Sequence, residues 1–158
     1  MDIRVAREED IDGILNLLLQ VNQVHADGRP DLFKSGGTKY NHENLAIKLQ
    51  EPNERIFVAV EDGQVLGYYF VVIEEDPETI NTYAHRTLYI DDLCVDEVQR
   101  GKHIGTSLFA EVKKYASSID AYRVTLRVWE CNPTARKFYD SLDMNPLYTE
   151  MEYILCFH

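Results

Sequence analysis

Between Gln99 and Thr106 the chain reads Gln-Arg-Gly-Lys-His-Ile-Gly-Thr, immediately ahead of an apolar stripe at helical spacing: Ile104, Leu108, Val112, Tyr115, Ala116 and Ile119. Where a strand feeds such a turn and a helix starts behind it, unpaired amide N–H groups and the helix dipole converge on one point, which suits an anion. Arg100, Gly101, Lys102, His103, Ile104, Gly105 and Thr106 are therefore candidate anion-binding residues. Taken alone the turn names no ligand, since an ordinary surface turn can carry the same charges. The strand ahead of it, Thr87 to Val95, holds two adjacent acids in its middle, Asp91 and Asp92. Carboxylates in such a place can accept protons or hold a cation.

Other chemistries find less support. Cys94, Cys131 and Cys156 are scattered and show no CxxC spacing, so neither a disulfide framework nor a thiolate zinc site is expected. The five histidines, His25, His42, His85, His103 and His158, contain no HxxxH pair, and no metal is expected. A formal charge of -11 disfavours nucleic acid as a partner and is compatible with a cationic small molecule. The charged opening MDIRVAREED and the short apolar run at Tyr68–Ile73 predict a soluble, cytoplasmic protein with no membrane association.

The elements that must position these residues follow from periodicity. Ile3 and Val5 alternate in an opening strand, and Ile11, Ile14, Leu15, Leu18 and Val21 make a helix. Residues from His25 to Tyr40, with Gly28, Pro30, Gly36 and Gly37, read as a loop, followed by a short helix over Glu43–Gln50. Arg55–Glu61 and Val65–Glu74 flank Asp62-Gly63, a dipeptide suited to a tight hairpin. After the acidic strand and the helix behind Gly105, Val124, Leu126 and Val128 alternate as a further strand. Pro133 opens a short helix with Ala135, Phe138, Tyr139 and Leu142 inward, and Leu147–Phe157 is expected to be a last strand or pair. The order β-α-α-β-β-β-α-β-α-β, in 158 residues with 45% hydrophobic content, predicts a single α/β (α+β) domain over 1–158.

Two motifs on this frame resemble the GNAT family of acetyltransferases. The turn is similar to the family's Q/R-x-x-G-x-G/A, with Arg100 and Gly105 at its outer positions and His103 where a glycine is usual. Asn132-Pro133-Thr134-Ala135-Arg136-Lys137-Phe138-Tyr139 resembles N-x-x-A-x-x-F-Y, and Asp143 stands where a further glycine is common. The resemblance covers nearly the whole chain. It implies the acyl-CoA N-acyltransferase fold, a mixed, mostly antiparallel sheet of six to seven strands with about four helices. It also implies acetyl-CoA as co-substrate, its pyrophosphate on the amides of residues 100–106, its arm near Leu93, Cys94, Val95, Asn132 and Arg136, and its sulfur near Tyr139. A homodimer built through edge strands or the C-terminal strand is expected on the same ground.

The implied reaction is attack of an amine on the thioester. An ammonium of pKa about 10.4 is about 99.9% protonated at neutral pH, so a proton acceptor is needed. Asp91 and Asp92 are the candidates. Strand alternation would place them on opposite faces, but the family commonly bulges here, and the likeness of YIDDLCV to polyamine acetyltransferases favours Asp91. The resemblance places the oxyanion donor at the Leu93 amide and makes Tyr139 the acid for the leaving thiolate. His25, Asp27, Asp31, Phe33 and Tyr40 bring acids and rings to the expected acceptor side, a set suited to a cation such as a polyamine-like amine. Competing expectations are a protein amine or aminoglycoside as acceptor, a ping-pong route through Cys94 or Cys131, and a CoA-binding regulatory module without catalysis.

Overall fold

The structure is a computed structural model and describes residues 1–156. The elements run β1 (Asp2–Val5), α1 (Ile11–Gly28), α2 (His42–Lys48), β2 (Glu54–Glu61), β3 (Gln64–Asp76), β4 (His85–Val95), α3 (Ile104–Ser118), β5 (Arg123–Leu126) and α4 (Pro133–Ser141). The strands form one sheet in the order β1-β2-β3-β4-β5, antiparallel except for the parallel β4–β5 pair. Asp62 and Gly63 both have positive φ, as the two-residue hairpin between β2 and β3 requires.

Alternation along β2 and β3 sends side chains to two cores. Ile56, Val58, Tyr68 and Phe70 meet Ile11, Ile14, Leu17 and Leu18 of α1 and Leu45 of α2. Phe57, Ala59, Tyr69 and Val71 meet Ile104, Leu108, Phe109 and Val112 of α3 from the opposite face. Because β3 is covered on both sides, its sequence reads as a continuous apolar run instead of an alternating one. Each fully buried Leu on these helices contributes about 1.5–3 kcal/mol through burial.

Three expectations are corrected. The described chain has five strands, not six to seven. Residues 145–156 form no strand although Leu147, Met151, Tyr153 and Leu155 alternate, because no neighbouring strand supplies their hydrogen bonds; Phe157 lies outside the described residues. Helix α1 runs on to Gly28, so His25 and Asp27 stand on its last turns and not in a loop. Its stripe continues past Val21 through Ala26, which is buried.

Candidate functional site

The site forms where β4 leaves β5. Their ladder runs from Thr87↔Arg123 to Ile90↔Leu126 and stops, while β4 continues to Val95 along β3. At the point of separation the β3–β4 register shifts: Phe70 pairs with Asp92 and Val71 with Ile90, which leaves Asp91 as an extra residue. A bulge of this kind breaks strict alternation and re-aims side chains. It brings both acids within the influence of one cation, Lys39, which contacts Asp91 and acts on Asp92 through space.

The two carboxylates have different settings. Asp91 Oδ2 accepts hydrogen bonds from Lys39 Nζ at 2.9 Å and from the Tyr40 hydroxyl at 3.1 Å. The Tyr40 ring stacks on Phe70 at 5.5 Å, which fixes that hydroxyl against β4. Asp92 is half-buried, and the protein around it is dense. Burial pushes its carboxyl up to about 7, against the opposing effects of Lys39, the Leu93 amide and the Tyr68 hydroxyl. The Tyr68 hydroxyl is fully buried and meets no partner at strict hydrogen-bond geometry among the described residues. The Leu93 amide, expected to face an oxyanion, thus lies beside the Asp92 carboxylate. Tyr139 on α4 is 8% exposed, and burial together with the charge of Asp92 and Cys94 holds its phenol well above the usual range. Burial pushes the Cys94 thiol up to about 12.

The turn behind β4 begins at Asp96, whose carboxylate accepts from Gln20 Nε2 at 3.2 Å and from the Val98 amide at 3.3 Å. Gln20 Oε1 in turn accepts from the Glu97 amide at 3.1 Å, so α1 pins the turn's entry. Arg100, Gly101, Lys102, His103 and Thr106 are exposed, and the Lys102 ammonium bonds Gln99 at 2.8 Å. Gly101 has φ 81 and His103 φ 61, and His103 is the N-cap of α3. His103 occupies a left-handed conformation natural to glycine, which accounts for the usual residue there. The first amides of α3, from Ile104 through Thr106, have no carbonyl partner within the helix.

Helix α4 approaches α3 at Gly105, where a Cβ would come within 2.8 Å of Phe138 Cζ. The Asn132 side-chain oxygen caps α4 by accepting from the Ala135 amide at 3.2 Å, while Arg136 pairs with Asp140 one turn on. Asp143 closes the helix with φ 62, as its short polar side chain permits.

The expected acceptor residues divide into two groups. Tyr40 joins the β4 acids. His25 and Phe33 instead pack with each other at 5.0 Å and with Trp129, and burial, then the charge of Lys39, lowers the His25 pKa. Asp27 accepts from Gln23 on its own helix, and Asp31 is engaged by Arg29, which also pairs with Glu152 at 2.6 Å. Asp27, Asp31 and Phe33 line a cleft of about 640 Å³ that none of the β4 acids reaches. Lys39, Tyr68, Gln20, Arg29 and Trp129 were not singled out from sequence. Only the adjacency of Lys39 to Tyr40 offered any signal for the first of them. Among the described residues no group of three or more His, Cys, Asp or Glu could hold a metal ion, and no helix is long and apolar enough to cross a membrane.

Comparison with known proteins bears on this geometry. Residues 20–144 match the acetyltransferase (GNAT) family. A probable glucosamine 6-phosphate N-acetyltransferase of Drosophila melanogaster is 25% identical over 90% of this chain, which spans only 59% of that relative's length. Thialysine N-epsilon-acetyltransferase of Bos taurus is 29% identical over 98% of this chain and 89% of its own. The solved structure of a tetramutant of the BH1408 protein from Bacillus halodurans superposes with a TM-score of 0.94 at 29% identity, covering 98% of this chain and 100% of that one. The chain belongs to the GNAT acetyltransferase family.

Proposed function

We propose that the protein transfers acetyl from acetyl-CoA directly to a primary amine on a small cationic acceptor. One observation carries the reading: at the β4 bulge two carboxylates stand among the rings of Tyr40, Tyr68, Phe70 and Tyr139, a setting that attracts an ammonium by charge and by cation–π contact. The amine binds beside Asp91 and gives its proton to Asp92. A carboxyl pushed up to about 7 is a far better acceptor than an ordinary aspartate at neutral pH. The amine attacks the thioester carbonyl, the C–N bond forms, and the C–S bond breaks. Tyr139, whose raised pKa keeps it a phenol, protonates the departing sulfur and regains its proton from the second one that the attacking nitrogen loses. Amides of residues 100–106 hold the pyrophosphate, and the side-chain NH2 of Asn132 donates to the pantetheine arm.

Direct transfer is preferred over a Cys94 acyl-enzyme because a thiol near 12 is about 0.001% thiolate at pH 7. The similarity to a thialysine acetyltransferase favours an ω-amine acceptor. The test is thiol release from acetyl-CoA with spermidine, thialysine, a lysine peptide, glucosamine 6-phosphate and an aminoglycoside. Turnover confined to glucosamine 6-phosphate would overturn the cationic assignment.

We also propose that a second copy covers the exposed residues Leu147, Met151, Tyr153 and Leu155. Among the described residues β5 pairs only with β4, so its other edge can accept a strand from another chain. Light scattering on the eluting protein should give a dimer mass at micromolar concentration, and a monomer would contradict the assignment.

A further inference from the structure

Lys39 Nζ lies 2.9 Å from Asp91 Oδ2 and 5.6 Å from the Tyr40 ring centroid, and its charge is felt at Asp92. A lysine ammonium of the chain itself thus stands where the proposed acceptor ammonium would be held, against the same carboxylates and the same ring. It is carried by the segment between α1 and α2, which contains Gly36 and Gly37 and is largely exposed. The Lys39 side chain is 45% exposed and that of Asp91 22%, so solvent screens the pair and it releases the ammonium readily. No other lysine among the described residues touches these acids: Lys48 is bound to Glu54 at 2.7 Å and Lys102 to Gln99 at 2.8 Å.

We propose that Lys39 is a self-acetylation site. The inference rests on the proposed function. The Lys39 ammonium gives one proton to the β4 carboxylates, and its neutral amine attacks the acetyl thioester bound to the same chain. The amide C–N bond forms, the C–S bond breaks, CoA leaves as the thiol, and the proton balance passes to solvent. Tethering replaces a bimolecular encounter, which compensates for the small neutral fraction of an alkyl amine. The product is neutral, so it abandons Asp91 and leaves that carboxylate to an external cation.

The experiment incubates the full chain with trideuterated acetyl-CoA without an amine and maps the heavy acetyl group by peptide mass spectrometry. In parallel the same preparation is assayed with the amine panel. Heavy acetyl should appear on Lys39 at a rate independent of protein concentration, roughly tenfold or more above Lys48 and Lys137, and should fall by roughly tenfold or more in Tyr139→Phe. Light acetyl already on Lys39 in protein from cells, and absent from Tyr139→Phe, supports the proposal equally. Turnover of the panel with neither heavy nor light acetyl on Lys39 overturns the self-acetylation alone. No label and no turnover sink the proposed function with it. Label spread evenly over surface lysines, unaffected by Tyr139→Phe, or appearing at a rate that rises with protein concentration, also overturns it.

Discussion

Phe70 of β3 faces Asp92 of β4 across the ladder, and the residue before it, Asp91, has no partner there. That single unpaired residue separates two otherwise equivalent acids: one is tied to Lys39 and Tyr40, the other is desolvated to about 7. If Asp92 accepts the proton, kcat/KM for the best amine should rise with pH through a limb near 7 and flatten above it. Asp92→Asn should remove that limb and lower kcat by roughly 100-fold or more. A limb that persists in the variant would rule out Asp92 as the base.

The same carboxyl predicts a stability change of defined sign. The folded protein keeps the Asp92 proton up to about 7, whereas an unfolded chain loses it near 3.8, the ordinary aspartate value. The folded state therefore binds more protons in this window, and stability is lost as pH rises through it. Asp92→Asn should stabilise the fold little at pH 4 and most above pH 7, by an amount on the order of 2–4 kcal/mol. Denaturant melts at the two pH values test this, and a gain that shrinks with rising pH would refute it.

Tyr139→Phe keeps the ring that packs beside Phe138 at 5.5 Å and removes only the hydroxyl. Acetyl-CoA affinity by calorimetry should stay within about twofold, while kcat drops by roughly 10- to 100-fold. Equal kcat would leave the leaving thiolate without this donor.

Gly105→Ala places a methyl 2.8 Å from Phe138 Cζ, so the ring and with it α4 must move. The expected loss is about 1–3 kcal/mol of stability. Because Tyr139 follows Phe138, kcat should fall as well. Adding Phe138→Leu should recover most of both, and a pair of losses that simply add would show that the contact is not the cause.

At position 103 the backbone has φ 61. His103→Gly relieves the left-handed strain at an entropic cost of similar size, so its melting temperature should hardly change. His103→Val should be less stable than that glycine variant by about 1–2 kcal/mol, because a β-branched residue resists this conformation. Differential calorimetry of the two variants decides it.

Much of the fold could be read from the residues. The apolar stripe of α3, the Asp62-Gly63 hairpin and the run of β-formers in β2 are local patterns that follow from helix and strand geometry. The adjacency of the QRGKHIGT turn to Asp91 and Asp92 was legible too, because the whole segment is continuous in sequence. The end of α1 was missed because the loop signals of Gly28, Pro30, Gly36 and Gly37 were extended back to His25, whereas the helix runs on to Gly28 itself. The segment after Leu147 shows why alternation alone makes no strand. Its period is right, yet a strand exists only with a partner whose amides and carbonyls can meet its own.

What the sequence determined by itself was the type of chemistry: a helix N-terminus for an anion, adjacent carboxylates, and a tyrosine in a second motif. What only the tertiary structure decided was the division of labour. The bulge at Asp91, the crowding around Asp92 and the arrival of Lys39 from a segment more than fifty residues upstream, |i−j| being 52, all depend on chain-distant atoms. Desolvation and ion pairing are set by neighbours in space, and the order of residues does not state them.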